Sequence, residues 1–222
     1  MIRTVIFDMD GVIVDTEPVH RYAYFRHFAA LGIAVSDDDY ATFTGRSTKN
    51  VYQHLKDKHQ LAQPVQALVL AKRELFNCAF DDKPDLDLLD GVRVLIEDLH
   101  QHGLELILAS SASHSTINRV MRRFQLAPYF SCLVSGEDFP RSKPDPAIFE
   151  HAASLSQAPK AQCLVIEDSA NGVTAAKAAG LHCIGYDSVH SSLQDLSHAD
   201  LIVVHFNELT AERIAAIETV VV

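Results

Sequence analysis

Tryptophan is absent from this 222-residue chain, and cysteine is scarce. The four cysteines, Cys78, Cys132, Cys163 and Cys183, lie far apart and form no Cys-x-x-Cys pair. That spacing argues against a zinc site or a disulfide frame and suits reduced, buried thiols. Also missing is any apolar run near the roughly 18 residues of a membrane span, so no membrane association is expected. Positive charge is in deficit: 19 Lys and Arg stand against 29 Asp and Glu, a formal net charge of -10. A surface of that sign repels nucleic acid unless basic residues cluster, whereas a small phosphate ester needs only one local positive site. No biased segment argues for disorder, and the length suffices for one generous domain or a core carrying an insert. The chain opens on a strand-like Arg3-Thr4-Val5-Ile6-Phe7 with no signal-peptide pattern, which makes the cytoplasm the expected location.

After that first strand the apolar period changes, and it changes back near residue 90. Residues 17–32 and 47–80 carry apolar side chains at helical spacing (Tyr24, Phe28, Leu31; Val51, Leu55; Leu68, Leu75), so an all-helical insert is predicted. From residue 91 onward helices and short strands alternate: helix 91–102, strand 104–108, helix 115–124, strand 132–134. Helix 146–156, strand 163–166, helix 172–179 and strands 183–186 and 201–204 follow. Such alternation predicts an α/β fold, a Rossmann-like parallel sheet with helices on both faces, plus a small all-helical cap inserted after the first strand. The core is expected over 1–15 and 88–222, and the cap over 16–87. Ligands in such sheets bind beyond the carboxyl ends of the strands.

Four strand ends are unusual. Asp8-Met9-Asp10-Gly11 follows the first strand, and residues i and i+2 of an extended segment face the same side. Alone, the pair reads equally well as a solvated acidic turn. It is not an EF-hand calcium loop, because the sixth and twelfth positions are Ile13 and Val19 instead of Gly and Glu. Ser110-Ser111-Ala112-Ser113 precedes a helix, where hydroxyls and free amides can receive an anion, although serine there is also a common N-cap. In Ser142-Lys143-Pro144-Asp145-Pro146, Pro144 biases Lys143 toward an extended backbone, Asp145 can cap the next helix and Pro146 suits its first position. Glu167-Asp168-Ser169 closes a strongly apolar strand, and charges buried there need a partner such as a metal ion.

Taken together, Asp8-x-Asp10-Gly11-Val12, Ser110, Lys143 in Lys-Pro-Asp-Pro, and Glu167-Asp168-Ser169-x-x-Gly172-Val173 resemble the four ordered motifs of the haloacid dehalogenase-like hydrolase superfamily. The likeness spans essentially the whole chain, and the helical insert is similar to the cap of one subgroup. Its hinges would lie near Asp15-Thr16 and near residues 83–90. The resemblance implies that Asp8 is the nucleophile and Asp10 the leaving-group acid, with Ser110 and Lys143 holding the phosphoryl group. It implies Mg2+ held by Asp8, the main-chain carbonyl of Asp10, and Asp168, with Glu167 either a further ligand or a hydrogen-bond acceptor behind them. Ser111 is a further phosphate-binding candidate.

Substrate choice is expected in the cap. Thr44-Gly45-Arg46-Ser47-Thr48-Lys49 looks like the family's cap loop, with Gly45, Arg46 and Lys49 as candidates for gripping the leaving group. His20 is placed like a histidine of the beta-phosphoglucomutase-like members. Those mutases, however, carry an arginine two places beyond the position of Arg46, where this chain has Thr48. The expected function is magnesium-dependent hydrolysis of small phosphorylated metabolites, sugar phosphates or similar polyols, by a monomer. Phosphomutase activity on the same aspartate is the alternative, and a phosphate-binding module without catalysis is the third. Dehalogenase and phosphonatase chemistry is disfavoured by Asp10, which neither requires.

Overall fold

The computed structural model describes residues 1–43, 46–188 and 194–217. Six parallel strands form one sheet: β1 (Thr4–Phe7), β2 (Glu105–Ser110), β3 (Cys132–Ser135), β4 (Cys163–Glu167), β5 (His182–Tyr186) and β6 (Leu201–Val203), in the order β3-β2-β1-β4-β5-β6. Strand β1 is central, with Thr4 opposite Glu105 on one side and Cys163 on the other. Its run of β-branched and aromatic residues is wholly buried, as a strand covered on both faces must be. Side chains alternate between two apolar layers. Val5, Phe7, Leu106, Leu108, Leu164 and Ile166 pack with α5 (Val92–Gln101) and α6 (His114–Arg123). Ile6, Ile107, Ala109 and Val165 pack with α7 (Ala147–Leu155) and α8 (Ala170–Ala178). A short α9 (Ala211–Ala215) follows the last strand. The chain reverses its direction of build at β1, and ligands bind at such switch points.

Between β1 and α5 lie α1 (Glu17–Leu31), α2 (Asp37–Ala41), α3 (Thr48–His59) and α4 (Val65–Asp81). They enclose a third apolar cluster of Tyr24, Phe28, Tyr40, Phe43, Val51, Tyr52, Leu55, Leu68 and Val69. The outgoing and returning chains lie side by side, Val14 bridging Leu88 and Leu89 N–H donating to Ile13 C=O at 3.0 Å.

Several sequence expectations need correction. The helix expected over 47–80 is two helices, because Gln60 turns left-handed at φ 52 and Pro64, extended at ψ 142, cannot sit inside a helix. Lys56 Nζ holds that break by donating to the carbonyls of Leu61 and Gln63. Helix α2 was not expected. Ser36 caps it by accepting from Asp39 N–H, and its three aspartates sit at the favourable positive end. The second strand runs on to Ser110, and Cys78 is exposed, whereas Cys163 and Cys183 are buried; all four thiols are free. No helix among the described residues is long and apolar enough to cross a membrane.

His27 is buried in the helical cluster with Nδ1 2.6 Å from Tyr52 Oη, and burial holds its imidazole below the ordinary value. The unfolded chain therefore binds a proton more readily. The stability contributed is present above about pH 6.5, the unfolded value, and is lost as pH falls below it. Between about pH 7 and pH 5 the thermal midpoint should fall further for the unaltered protein than for His27→Gln; parallel pH dependences would contradict this assignment.

Candidate active site

The four unusual strand ends converge. Asp8 follows β1 and its N–H donates to Ile166 C=O of β4 at 3.0 Å, which sets it beside Glu167 and Asp168 at the carboxyl edge. Lys143, which follows β3 and precedes a cis peptide bond to Pro144, reaches across the sheet edge. Its Nζ donates to Asp8 Oδ1 and, at 2.7 Å, to Glu167 Oε1, and lies 4.6 Å from the centroid of Phe149. Asp8, Glu167, Asp168 and Lys143 are all buried. The other oxygen of Glu167 accepts from Ser169 N–H at 2.7 Å and Ser169 Oγ at 3.0 Å.

Two glycines make room for this cluster. A Cβ at Gly11 would overlap the Asp168 carboxylate, and the Gly11 φ of 82° is left-handed in any case. A Cβ at Gly172 would overlap the Glu167 carboxylate. The motif glycines therefore mark where the backbone yields space to a carboxylate.

Burial raises the Asp8 carboxyl; Lys143 opposes this, Glu167 and Asp10 add to it, and the result is about 7. Asp168 is raised well above the carboxylate range, first by burial and then by Glu167 and Asp8. Lys143 is held above its ordinary value: burial works against its charge, but Asp8 and Glu167 outweigh that. Several carboxylates thus share one close lysine, and a further cation would relieve their repulsion. Hard oxygens of this kind suit magnesium. Among the described residues no three His, Cys, Asp or Glu side chains already form a closed cage, and magnesium usually takes only one or two carboxylates plus water and phosphate.

Ser111 and Ala112 line the cavity above Asp8, next to the N-terminus of α6. Ser110 is fully buried behind them, its Oγ accepting from Ala112 N–H at 3.1 Å, and it does not line the cavity. Ser113 caps α6, accepting from Thr116 N–H at 3.3 Å.

A family model described as haloacid dehalogenase-like hydrolase matches residues 2–180. The chain belongs to the haloacid dehalogenase-like hydrolases. It is 31% identical to a phosphorylated carbohydrates phosphatase of Thermotoga maritima, over 85% of this chain and 86% of that one. It is 29% identical to the beta-phosphoglucomutase of Bacillus subtilis, over 95% and 92%. The crystal structure of a CbbY variant from Rhodobacter sphaeroides in complex with xylulose-(1,5)bisphosphate superposes with a TM-score of 0.85, at 27% identity over 94% and 96%.

In this hydrolase the helical segment closes over the sheet edge and leaves a cavity of about 100 Å³. Asp10 sits beneath it, accepting from Thr16 Oγ1, with His20 Nε2 at 3.7 Å. On the other side of the His20 ring, Lys72 Nζ is 2.6 Å from Nδ1. Burial acts to raise the Asp10 carboxyl, but the contacts of His20, Thr16 and Lys72 outweigh it and hold it below its usual value. Lys72 is only 1% exposed, and burial pulls it down to about 7 against the pull of Asp10 and Glu17. Sequence reasoning missed Lys72. The cue was present, since Leu68, Lys72, Phe76 and Phe80 fall at intervals of four on one helix and only the second is polar.

Glu17, Tyr24, Tyr40, Phe43, Arg46 and Thr48 complete the cap side of the cavity. Lys49 is exposed and does not line it, since it turns away at the start of α3. Gly45 lies outside the described residues.

Gly172→Ala should destabilise the protein by about 1–3 kcal/mol and disturb Glu167. Denaturant unfolding checks this, and a variant with unchanged stability and activity would contradict the proposed close approach.

Proposed function

We propose that this hydrolase is a magnesium-dependent phosphatase of small phosphorylated metabolites, sugar phosphates or similar polyols, that captures the phosphoryl group on Asp8. The observation that carries the proposal is the convergence of Asp8, Lys143, Glu167 and Asp168, with Asp10 two residues on, at one edge of the sheet. Residues 16–87 would act as the cap over a core of 1–15 and 88–222, which agrees with their separate aromatic cluster.

An ionised carboxylate needs no base to become a nucleophile. Asp8 attacks phosphorus, the ester P–O bond breaks, and Asp10, in the protonated form that this step requires, gives its proton to the departing alkoxide. Asp10 then takes a proton from the water that attacks the aspartyl phosphate, which releases phosphate and restores Asp8. Lys143, with the hydroxyl of Ser111 and the amides beside it, holds phosphoryl oxygens where negative charge builds, while Ser110 Oγ, engaged by Ala112 N–H, shapes the loop behind them. Asp8, Asp168 and the Asp10 carbonyl would hold magnesium, which when bound screens the repulsion between carboxylate and phosphate dianion. Both oxygens of Glu167 are engaged by Lys143 and Ser169, so Glu167 is assigned to orienting the lysine rather than to direct ligation.

Hydrolysis is preferred over phosphomutase activity because Thr48 lines the cavity where the mutases carry an arginine. His20 and Arg46 remain available to a polar leaving group. Phosphate release from a panel of phosphorylated metabolites, with and without magnesium, tests the proposal. Asp8→Asn should lower kcat by at least about 1,000-fold; retained turnover, or interconversion of glucose 1-phosphate and glucose 6-phosphate primed by a trace of bisphosphate, would overturn it.

A further inference from the structure

Helix α6 starts at the phosphate-side loop and buries Ile117, Val120 and Met121 against the sheet. Arg119 and Arg123, four residues apart, share another face, and that face meets the foot of α4. Arg123 reaches three carbonyls on the chain leaving the cap. Its Nη1 donates to Phe80 C=O at 2.6 Å, and its Nη2 donates to Lys83 C=O at 2.6 Å and Leu86 C=O at 3.0 Å. The guanidinium lies 5.0 Å from the Phe80 ring and 5.5 Å from the Phe124 ring. Arg119 pairs with Asp81, the last residue of α4. A helix C-terminus leaves carbonyls without partners and favours cations, so this site suits a rigid, five-donor guanidinium.

The upper part of α4 reaches the active site. Lys72 touches His20, and His20 faces Asp10. Arg73 pairs at 2.6 Å with Glu137, whose other oxygen accepts from His114 N–H at the start of α6. Helix α6 therefore meets α4 directly at its foot and, through Glu137, at its middle. Lys72 lies eight residues above Phe80, about 12 Å along the helix axis. A tilt of about 5° at the foot would move it by about 1 Å, and displacements of that size can cost about 100-fold in rate.

We propose that Arg123 is a positioning residue for the acid/base step: by clamping the chain where α4 leaves the cap, it keeps Lys72 and His20 aligned over Asp10. The inference rests on the reading of Asp10 as leaving-group acid, and its effect is therefore specific to poor leaving groups. Nitrophenolate departs readily without a proton, whereas phenolate benefits more from one.

The test compares kcat/KM of the full-length enzyme, with magnesium, on p-nitrophenyl phosphate and phenyl phosphate. In Arg123→Met the ratio of the two should rise about 10-fold in favour of the nitrophenyl ester, and Asp10→Asn should raise it at least as far. Arg123→Lys, which keeps the charge but not the fork, should fall between; it alone decides the matter if Arg123→Met does not fold. General destabilisation lowers both activities together and leaves the ratio in place. An unchanged ratio in both Arg123 variants, with the ratio shifted in Asp10→Asn, overturns the inference alone. An unchanged ratio in Asp10→Asn overturns the role given to Asp10, and the inference falls with it.

Discussion

The site depends on one imbalance: three carboxylates, Asp8, Glu167 and Asp168, are buried around a single close lysine. Buried charges of one sign are tolerated only when partners are supplied, and Lys143 can satisfy two of the three. The rest of the structure follows from that constraint. Strand β1 must lie between β2 and β4 so that Asp8 meets Glu167, and Lys143 must come from beyond β3. Gly11 and Gly172 must lack side chains so that two carboxylates can sit against backbone. A dianionic phosphate could not approach such a cluster unless further positive charge came with it, which is the physical case for magnesium.

Much of this was legible in the sequence, because the core motifs sit where local rules are strong. Apolar runs such as Thr4–Phe7 and Cys163–Glu167 announce buried parallel strands, and the residue after each is placed by the strand itself. The loops were less legible. Ser110 and Ser111 read alike in the sequence, and only the turn that engages Ser110 Oγ with Ala112 N–H decides which of them lines the cavity. In the cap, the stretch Asp37–Ala41 is too short for a helical period to show, and the break at Gln60 depends on a left-handed residue that is not glycine. Lys72 was concealed by its polarity. A lysine reads as surface unless its place on an apolar stripe is weighed, and its partner His20 lies on another helix.

The helical segment and the sheet divide the chemistry between them. In the proposed reaction the sheet edge supplies the groups that meet the phosphoryl group. The cap supplies Glu17, Tyr24, Tyr40, Arg46 and Thr48, which line the same cavity from the opposite side. Two of its contacts with the core, Asn50 Nδ2 to Ser142 Oγ at 2.6 Å and Arg73 to Glu137, fall beside Lys143 and beside the loop that bears Ser111. The same helical segment reaches Asp10, which is touched by Thr16 and faced by His20 from that side.

Capture of the phosphoryl group by Asp8 is most directly tested by acid-quenching the enzyme during turnover of a phosphorylated metabolite with magnesium and mapping the phosphorylated peptide by mass spectrometry. A phosphoryl group on the peptide that contains Asp8, absent from Asp8→Asn, is the predicted result. Turnover with no phosphorylated peptide, or with the group on another residue, would contradict it.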